Sequence, residues 1–255
     1  MYSKKIAFSL FTVPALVLSH QGYEFQTRRK EDKEIEATRR TTLMSQSALD
    51  ITPLNRGGFP WSKPGTNIDN FESDFSFKKV KVSGFFDHNN EIQVERIKGN
   101  EKGVDIVTPF FTHLNEKGEP CGILVNRGWV PVDLKDLKMH YTSGATGEIQ
   151  GLLYRGDAQT KYSLANEPTI MRFTNVNPSD IALIDQMKNL DEASQFMLLQ
   201  IDPNTETRQI LPTAPTADEL AKWQVSPERH QAYADLWKYL TFTGIFANTA
   251  LWLCF

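Results

Sequence analysis

Two uncharged, hydrophobic segments near the two ends of the chain constrain its fold most. Residues 6–19 and residues 239–255 contain no charged side chain. As α-helices they would rise about 21 Å and about 25 Å, against roughly 30 Å for the hydrocarbon core of a bilayer. Aromatic side chains flank the second segment, as they do at membrane–water interfaces. We predict transmembrane helices at residues 6–23 and within residues 227–255.

Each hydrophobic segment also has another interpretation. The first is short and follows two lysines, so it equally fits a secretory signal peptide. The second could instead form a helix buried in a protein core. Four basic residues, Arg28, Arg29, Lys30 and Lys33, follow the first segment. Under the positive-inside rule they favour a matrix or cytoplasmic position for the domain that comes next.

The charged residues are concentrated between the two segments. Of the 28 basic side chains only Lys4, Lys5 and Lys238 lie outside residues 24–235, and all 31 acidic ones lie inside, which gives this region 25 positive and 31 negative charges. Nucleic-acid binding needs a basic face, so this balance argues against it. The two cysteines, Cys121 and Cys254, provide neither a disulfide framework nor a zinc spacing.

The middle of the chain is predicted to be rich in β-strands. Residues 27–48 favour a polar helix that continues from the first span, and residues 50–72, rich in Pro and Gly, favour an irregular linker. A helix over 181–190 is expected after Asn177, and two more are expected after Thr216 and Ser226. Six segments between turn signals are predicted strands: 76–86, 91–97, 105–113, 122–131, 148–154 and 195–201.

These elements define the expected architecture. We predict an α+β membrane protein, in which two transmembrane helices bracket a small antiparallel β-barrel or β-sandwich domain with short helices. The expected parts are a transmembrane helix (6–23), a polar helix and linker (24–75), a β-rich domain outside the membrane (76–225) and a C-terminal helix that includes the second span (227–255).

The sequence lacks the motifs of common enzyme classes. It contains no G-x-S-x-G hydrolase motif and no phosphate-binding glycine loop. The five histidines stand apart, without a metal-ligand spacing: His20, His88, His113, His140 and His230. We therefore expect no enzymatic activity and no bound metal. An enzyme of another type would require a compact cluster of polar side chains in a pocket.

One predicted strand, residues 122–131, carries polar side chains between two apolar runs. Asn126 and Arg127 lie at its centre, and a buried arginine must be paired and hydrogen-bonded because an unpaired buried charge is costly. Arg127 could lock the barrel by bonding carboxylates or carbonyls, or it could contact a partner directly. Gly128 would permit a β-bulge, and Pro109 indicates that its own strand ends at an edge.

The sequence IVTPF at 106–110, followed by ILVNRGWVP at 123–131, resembles the central signature of the surfeit-locus-one (Surf/Shy) family of cytochrome c oxidase assembly proteins. Residues 79–87, Glu91 and residues 147–151 resemble the flanking strands of that family. Phe25-Gln26 and the run from His230 to Tyr239 resemble its two helical segments. The signature residues are Thr108, Pro109, Phe110, Asn126, Arg127, Gly128, Trp129 and Pro131.

The resemblance implies a non-enzymatic accessory protein of cytochrome c oxidase, acting in its assembly or as a resident structural subunit. It implies a multi-pass protein of the mitochondrial inner membrane with its β-rich domain in the intermembrane space, opposite to the side that the basic residues favour. The implied partners are oxidase subunits in the membrane and lipids, with no nucleic acid.

The resemblance also offers an alternative, a haem a-binding protein that delivers cofactor to the oxidase core subunit. His230 would then be the haem ligand, since a histidine at that place is the ligand proposed for the family. The family's asparagine before this histidine is replaced by residues 227–229, and the tryptophan after the first span is replaced by Phe25. These departures favour the structural role, so no tightly bound cofactor is expected.

Overall fold

A computed structural model describes residues 2–53, 58–134, 146–157, 160–161, 163–201, 211–216, 219–220 and 226–254. The chain divides into two units: a helical unit formed by residues 1–42 and 221–255, and a β-rich unit formed by residues 43–220. The helices and strands, in chain order, are α1 (Tyr2–Ser45), β1 (Leu49–Asp50), α2 (Ile68–Phe75), β2 (Lys79–Phe86), β3 (Ile92–Lys98), β4 (Glu101–Leu114), β5 (Pro120–Pro131), β6 (Thr146–Tyr154), α3 (Pro178–Ile184), α4 (Leu190–Ala193), β7 (Met197–Gln200) and α5 (Pro227–Cys254).

The six predicted strands are confirmed as β2 to β7, and the polar helix is confirmed as the second half of α1. The predicted linker is wrong in part, because it contains the start of α2, where the side chain of Asn67 accepts hydrogen bonds from the backbone of Asp69 and Asn70. The helix predicted to reach Leu190 ends at Ile184. The left-handed conformation of Gln186, with φ at 51°, stops it.

The helices expected after Thr216 and Ser226 have different outcomes. Thr216 and Glu219 form the reciprocal contacts of a capping box, at 3.2 Å each. Most of that predicted helix, which would reach Trp223, lies outside the described residues. The helix predicted after Ser226 is confirmed as α5, with Pro227 at its first position.

Five strands of the β-rich unit close into a barrel in the order β2–β6–β7–β5–β4. The ring closes where Phe85 and Phe86 of β2 pair with Phe111 and Phe110 of β4. β5 and β7 are parallel, and the other four pairs of the ring are antiparallel. The fold is therefore a mixed α+β fold with a closed barrel.

The prediction of a purely antiparallel domain is wrong for a geometric reason. Strand direction cannot alternate all the way around a closed ring of five strands. At least one neighbouring pair must be parallel, and here it is β5 with β7. The two remaining strands extend the sheet, since β1 pairs with β2 and β3 pairs with β4.

Two apolar clusters lie on the two faces of the barrel wall. One contains Val80, Ile123 and Val125 with the aromatic rings of Phe59 and Trp61. Phe59 and Trp61, which are stacked with ring centroids 4.6 Å apart, come from the predicted linker. The other cluster packs α3 and α4 against strand residues of the opposite face. Each fully buried aliphatic or aromatic side chain contributes roughly 1.5–3 kcal/mol, so these clusters provide most of the stabilisation.

In the helical unit, α1 and α5 run antiparallel with polar contacts along their seam. Ser9 Oγ donates to Asn248 Oδ1 at 3.1 Å, and the hydroxyls of Ser19 and Thr241 are 2.9 Å apart. Ser19 is buried at this seam. Large apolar side chains point outward instead, among them Leu10, Phe11, Leu18, Leu240, Phe242 and Phe246.

Among the residues that the structure describes, no helix has both the length and the apolar character needed to cross a membrane. The prediction of two transmembrane helices is therefore wrong for these residues. Polar side chains interrupt both hydrophobic segments, such as Ser9, Thr12 and His20 in α1 and Thr243 and Asn248 in α5. They lower the mean hydropathy of any stretch long enough to span.

Candidate functional site

The signature strand β5 contains a β-bulge at Arg127. In its pairing with β4, Ile106 lies opposite Gly128 and Val107 lies opposite Asn126, so Arg127 is the extra residue. Gly128 has φ at +121°, and a Cβ built on it would lie 2.3 Å from a backbone oxygen. Only glycine fits this position. The predicted bulge is therefore present, and it directs the Arg127 side chain away from the regular alternation of the strand.

Arg127 lies at the centre of a buried polar cluster. Its side chain is 6% exposed, and Nη1 lies 3.7 Å from Glu91 Oε2 and 3.3 Å from His88 Nδ1. The guanidinium carbon lies 4.8 Å from the ring centroid of Phe86, and Thr108 Oγ1 donates to Glu91 Oε2 at 3.4 Å. The arginine thus has the carboxylate partner that a buried guanidinium requires.

The turn between β2 and β3 carries the partners of Arg127. Asp87 N–H donates to Pro109 O of β4 at 2.9 Å, which holds this turn against the signature. Pro109 pairs with Leu124 inside β4, which continues to Leu114, so the predicted edge-strand stop is wrong. In an antiparallel ladder the N–H and C=O of one residue face the same neighbour. On the side that Pro109 faces, the neighbouring strand is interrupted by the turn between β2 and β3. The missing N–H of Pro109 therefore costs no ladder hydrogen bond.

His88 is held neutral in this cluster. Burial lowers its pKa, and the positive charge of Arg127 lowers it further, against a smaller opposite effect of Asp87. Because arginine only donates hydrogen bonds, His88 Nδ1 accepts and the ring proton is on Nε2. Among the described residues this buried Nε2 has no hydrogen-bond partner.

Asn126 organises a second polar network on the other face of the strand. Its Nδ2 lies 3.3 Å from the Tyr154 hydroxyl and 3.4 Å from Asp105 Oδ2. Its Oδ1 accepts from the backbone N–H of Gly128 at 3.0 Å, which fixes the bulge. Arg96 Nε donates to Asp105 at 2.8 Å. Burial raises the pKa of Tyr154, so its hydroxyl stays protonated.

The rest of the network ties irregular segments to the barrel. Arg96 also bonds Asp157, and the Asp157 carboxylate accepts from the backbone N–H of Val176 at 2.8 Å. Trp129 exchanges backbone hydrogen bonds with Thr213, at 3.0 and 2.8 Å. The first two contacts hold the segments around Asp157 and Val176 against the barrel, and the backbone pair holds the segment around Thr213 against β5.

The remaining signature residues complete the packing around this strand pair. The Trp129 ring lies so close to Gly103 that a Cβ there would be 2.4 Å from Trp129 Cε2. Pro131 pairs with Gly103 at the end of β5. Phe110 is fully buried, 4.7 Å from the Phe86 ring. The structure therefore brings all eight signature residues to the β4–β5 pair.

His230 lies in the other unit, near the start of α5. Its Nδ1 lies 2.8 Å from Gln26 Oε1 of α1. Because this amide oxygen can only accept, Nδ1 carries a proton and donates it to Gln26. Among the described residues, no three side chains of the His, Cys, Asp and Glu type are grouped to hold a metal ion.

Several residues of these networks could not be predicted from the sequence. His88, Asp105 and Tyr154 come from different strands and turns, so spacing alone could not group them. Asp105 did carry a signal, since it is a carboxylate within the apolar run from Val104 to Val107. A lone acid in a buried strand predicts a basic or amide partner.

The β-rich unit is thus a small closed barrel with a polar network on each face of the β4–β5 pair, and the helical unit is an antiparallel pair of helices. The chain belongs to the SURF1 family, whose family model matches residues 25–242. The predicted resemblance is therefore confirmed.

A SURF1-like protein of Rickettsia prowazekii (strain Madrid E) is 32% identical to this chain over 107 residues. The match covers 41% of this chain and 42% of that protein. The chain thus spans less than half the length of this curated relative.

Proposed function

We propose that this protein is a non-enzymatic accessory protein of cytochrome c oxidase, acting in its assembly or as a resident structural subunit. The observation that carries the proposal is the use of the polar signature residues. Thr108, Asn126 and Arg127 bond groups within the barrel wall. Side chains that hold the barrel wall together in this way keep its outer surface in a fixed shape. An accessory protein needs such a surface to bind its partner.

The helical unit supports a membrane complex as the partner. Its seam is polar, whereas its outward faces are apolar. Small and polar residues at the interface with apolar residues outside are typical of helices that pack in apolar surroundings. The partners we propose are therefore oxidase subunits in the membrane and the surrounding lipids.

The proposed location is the mitochondrial inner membrane, with the β-rich domain in the intermembrane space. It follows from the SURF1 family resemblance, although the basic residues after the first hydrophobic segment favour the opposite side. The proposal requires contact between the helical unit and the membrane complex, and it requires no helix that crosses the bilayer.

Co-purification in mild detergent tests the proposed function. Stoichiometric recovery with mature oxidase identifies a resident subunit, and recovery with oxidase intermediates identifies an assembly factor. A second membrane complex from the same preparation serves as the control. Equal recovery with both complexes, or with neither, would refute the proposal.

The alternative function is binding and delivery of haem a. Its support is the hydrogen bond from His230 Nδ1 to Gln26, since a second partner that fixes the tautomer is typical of iron-ligating histidines. The absorbance spectrum of the purified full chain with added haem tests it. His230→Ala should abolish the Soret shift, whereas His20→Ala, on α1 of the same unit, should keep it. If both variants give the same haem spectrum as the unmodified chain, His230 is not the ligand and the haem-delivery alternative is excluded.

A further inference from the structure

Three arginines lie at one level of the helical unit. The hydrogen bond between Gln26 and His230 fixes the register of the two helices there. Arg28 and Arg29 closely follow Gln26, and Arg229 directly precedes His230. Each therefore lies within roughly 5 Å of this contact along the helix axis. All three side chains are exposed, and we name them the arginine collar.

An exposed apolar strip on α1 leads to the collar. Phe11, Leu18 and Phe25 follow one another at intervals of seven residues, which places them on one side of the helix. They are 82%, 63% and 54% exposed. Arg29 comes one turn after Phe25, with its guanidinium carbon 5.1 Å from the phenyl ring centroid. The apolar strip thus ends in a positive charge.

A matching strip on α5 ends at the same level. Leu240, Leu236 and Tyr233 are exposed and follow one another at intervals of four and three residues. Arg229 continues the strip by one more turn. Tyrosine is enriched where an apolar environment meets a polar one. Both helices therefore pass from apolar to basic surface at the level of the collar.

The nearby carboxylates leave the positive charge of the collar available. Glu24 lies 3.5 Å from His20, Asp235 accepts a hydrogen bond from Gln231 at 2.9 Å, and Glu228 is hydrogen-bonded to Ser226. Among the described residues, none of the three guanidinium groups forms an ion pair. Each can therefore bind an external anion.

We propose that the arginine collar binds the phosphate groups of anionic lipids while the apolar strips contact the acyl chains. Guanidinium groups pair with phosphate through two parallel hydrogen bonds. The next turn of α1 carries Lys30 and Lys33 beside Glu31 and Asp32, so its charges balance and the excess positive charge lies at the level of the collar, as a single layer of headgroups requires. The inference rests on the proposed membrane setting and names the lipid class that this surface selects.

Vesicle binding of the full chain tests the proposal. The protein is purified in mild detergent and mixed with phosphatidylcholine vesicles, with or without phosphatidylglycerol. The collar variant replaces Arg28, Arg29 and Arg229 with glutamine. The control variant replaces Arg39, Arg40 and Arg172 with glutamine. It loses the same number of positive charges, but at ion-paired positions outside the collar.

The collar variant should bind the anionic vesicles roughly 100-fold more weakly, since each basic residue near an anionic surface strengthens binding about fivefold. The control variant should bind as the unmodified chain does, and neutral vesicles should not distinguish the three proteins. Equal losses in the two variants would overturn the proposal.

The lipid proposal and the proposed function fail in different ways. If the chain binds neither kind of vesicle yet is recovered with cytochrome oxidase, the apolar strips contact oxidase subunits and not lipid acyl chains. The lipid proposal is then wrong while the accessory role stands. If the chain binds anionic vesicles through the collar but is recovered with no oxidase species, the opposite holds.

Discussion

At the scale of single residues, Arg127 shows how a charge is kept inside a barrel wall. Its guanidinium group lies against one carboxylate, one imidazole and one phenyl ring. The sequence predicts that a buried arginine must be paired. It does not identify Glu91 as the partner, because strand register and the position of a turn decide which carboxylate comes near.

Replacing Arg127 with alanine should unfold the β-rich unit or lower its free energy of unfolding by about 3 kcal/mol or more. The change leaves the Glu91 carboxylate buried without its counter-charge, and breaking a buried pair costs about this much. Arg172→Ala is the matched control, because Arg172 pairs with Glu95 and Glu167 on the exposed surface. Chemical denaturation measures both. Equal small effects would contradict the role given to Arg127.

Asp185 gives the β-rich unit a dependence on pH. Burial raises its pKa to about 7, with a further contribution from Asp87. The folded protein therefore keeps a proton that the unfolded chain releases near its ordinary value of 3.8. The Asp185 carboxyl therefore contributes its full stabilisation below pH 3.8, and this contribution is lost as the pH rises through about 7.

Asp185→Asn should flatten this dependence, because the amide stays neutral at every pH. At pH 8 the variant should be more stable than the unmodified protein by more than about 2 kcal/mol, since one unit of pKa corresponds to about 1.4 kcal/mol. Asp191→Asn, at an exposed position of α4, should change little. Thermal melting from acidic to basic pH checks the pair, and parallel curves for Asp185→Asn and the unmodified protein would contradict the assignment.

At the scale of elements, the bulge of β5 depends on a close approach of two backbones. Gly128→Ala should destabilise the β-rich unit strongly, because the new methyl group would meet Thr213 O and the residue would keep a positive φ. Gly99→Ala isolates the second effect, since Gly99 also has a positive φ but faces open space. Its cost should be about 1 kcal/mol. A similar melting temperature for the two variants would argue against the close approach.

The strands were predictable from sequence where apolar residues alternate, as in Ile92 and Val94 of β3. The direction of β7 was not, because alternation is the same in parallel and antiparallel strands. The seam of the helical unit was missed for a related reason. Polar residues such as Ser19 and Asn248 look like interruptions of an apolar segment, and only the facing helix reveals their hydrogen bonds.

At the scale of the whole molecule, the apolar clusters of the barrel lie entirely within residues 43–220. A fragment of these residues should therefore fold alone with a cooperative thermal transition. Near-ultraviolet circular dichroism measures the packing of its buried aromatic residues, such as Trp61 and Phe110. The same fragment with Arg127→Ala is the comparison. A fragment with no near-ultraviolet signal would show that the β-rich unit needs the helical unit.

The place of β7 in the ring sets an order for folding. β7, of four residues, fills the gap between β5 and β6, and it is the last strand of the ring to be synthesised. The strands before it pair with near neighbours in sequence or across the β2–β6 ladder, but the circle stays open until residues 197–200 leave the ribosome. Until then the unpaired edges of β5 and β6 can pair with other chains. A newly made chain is thus most exposed to aggregation just before its shortest barrel strand arrives.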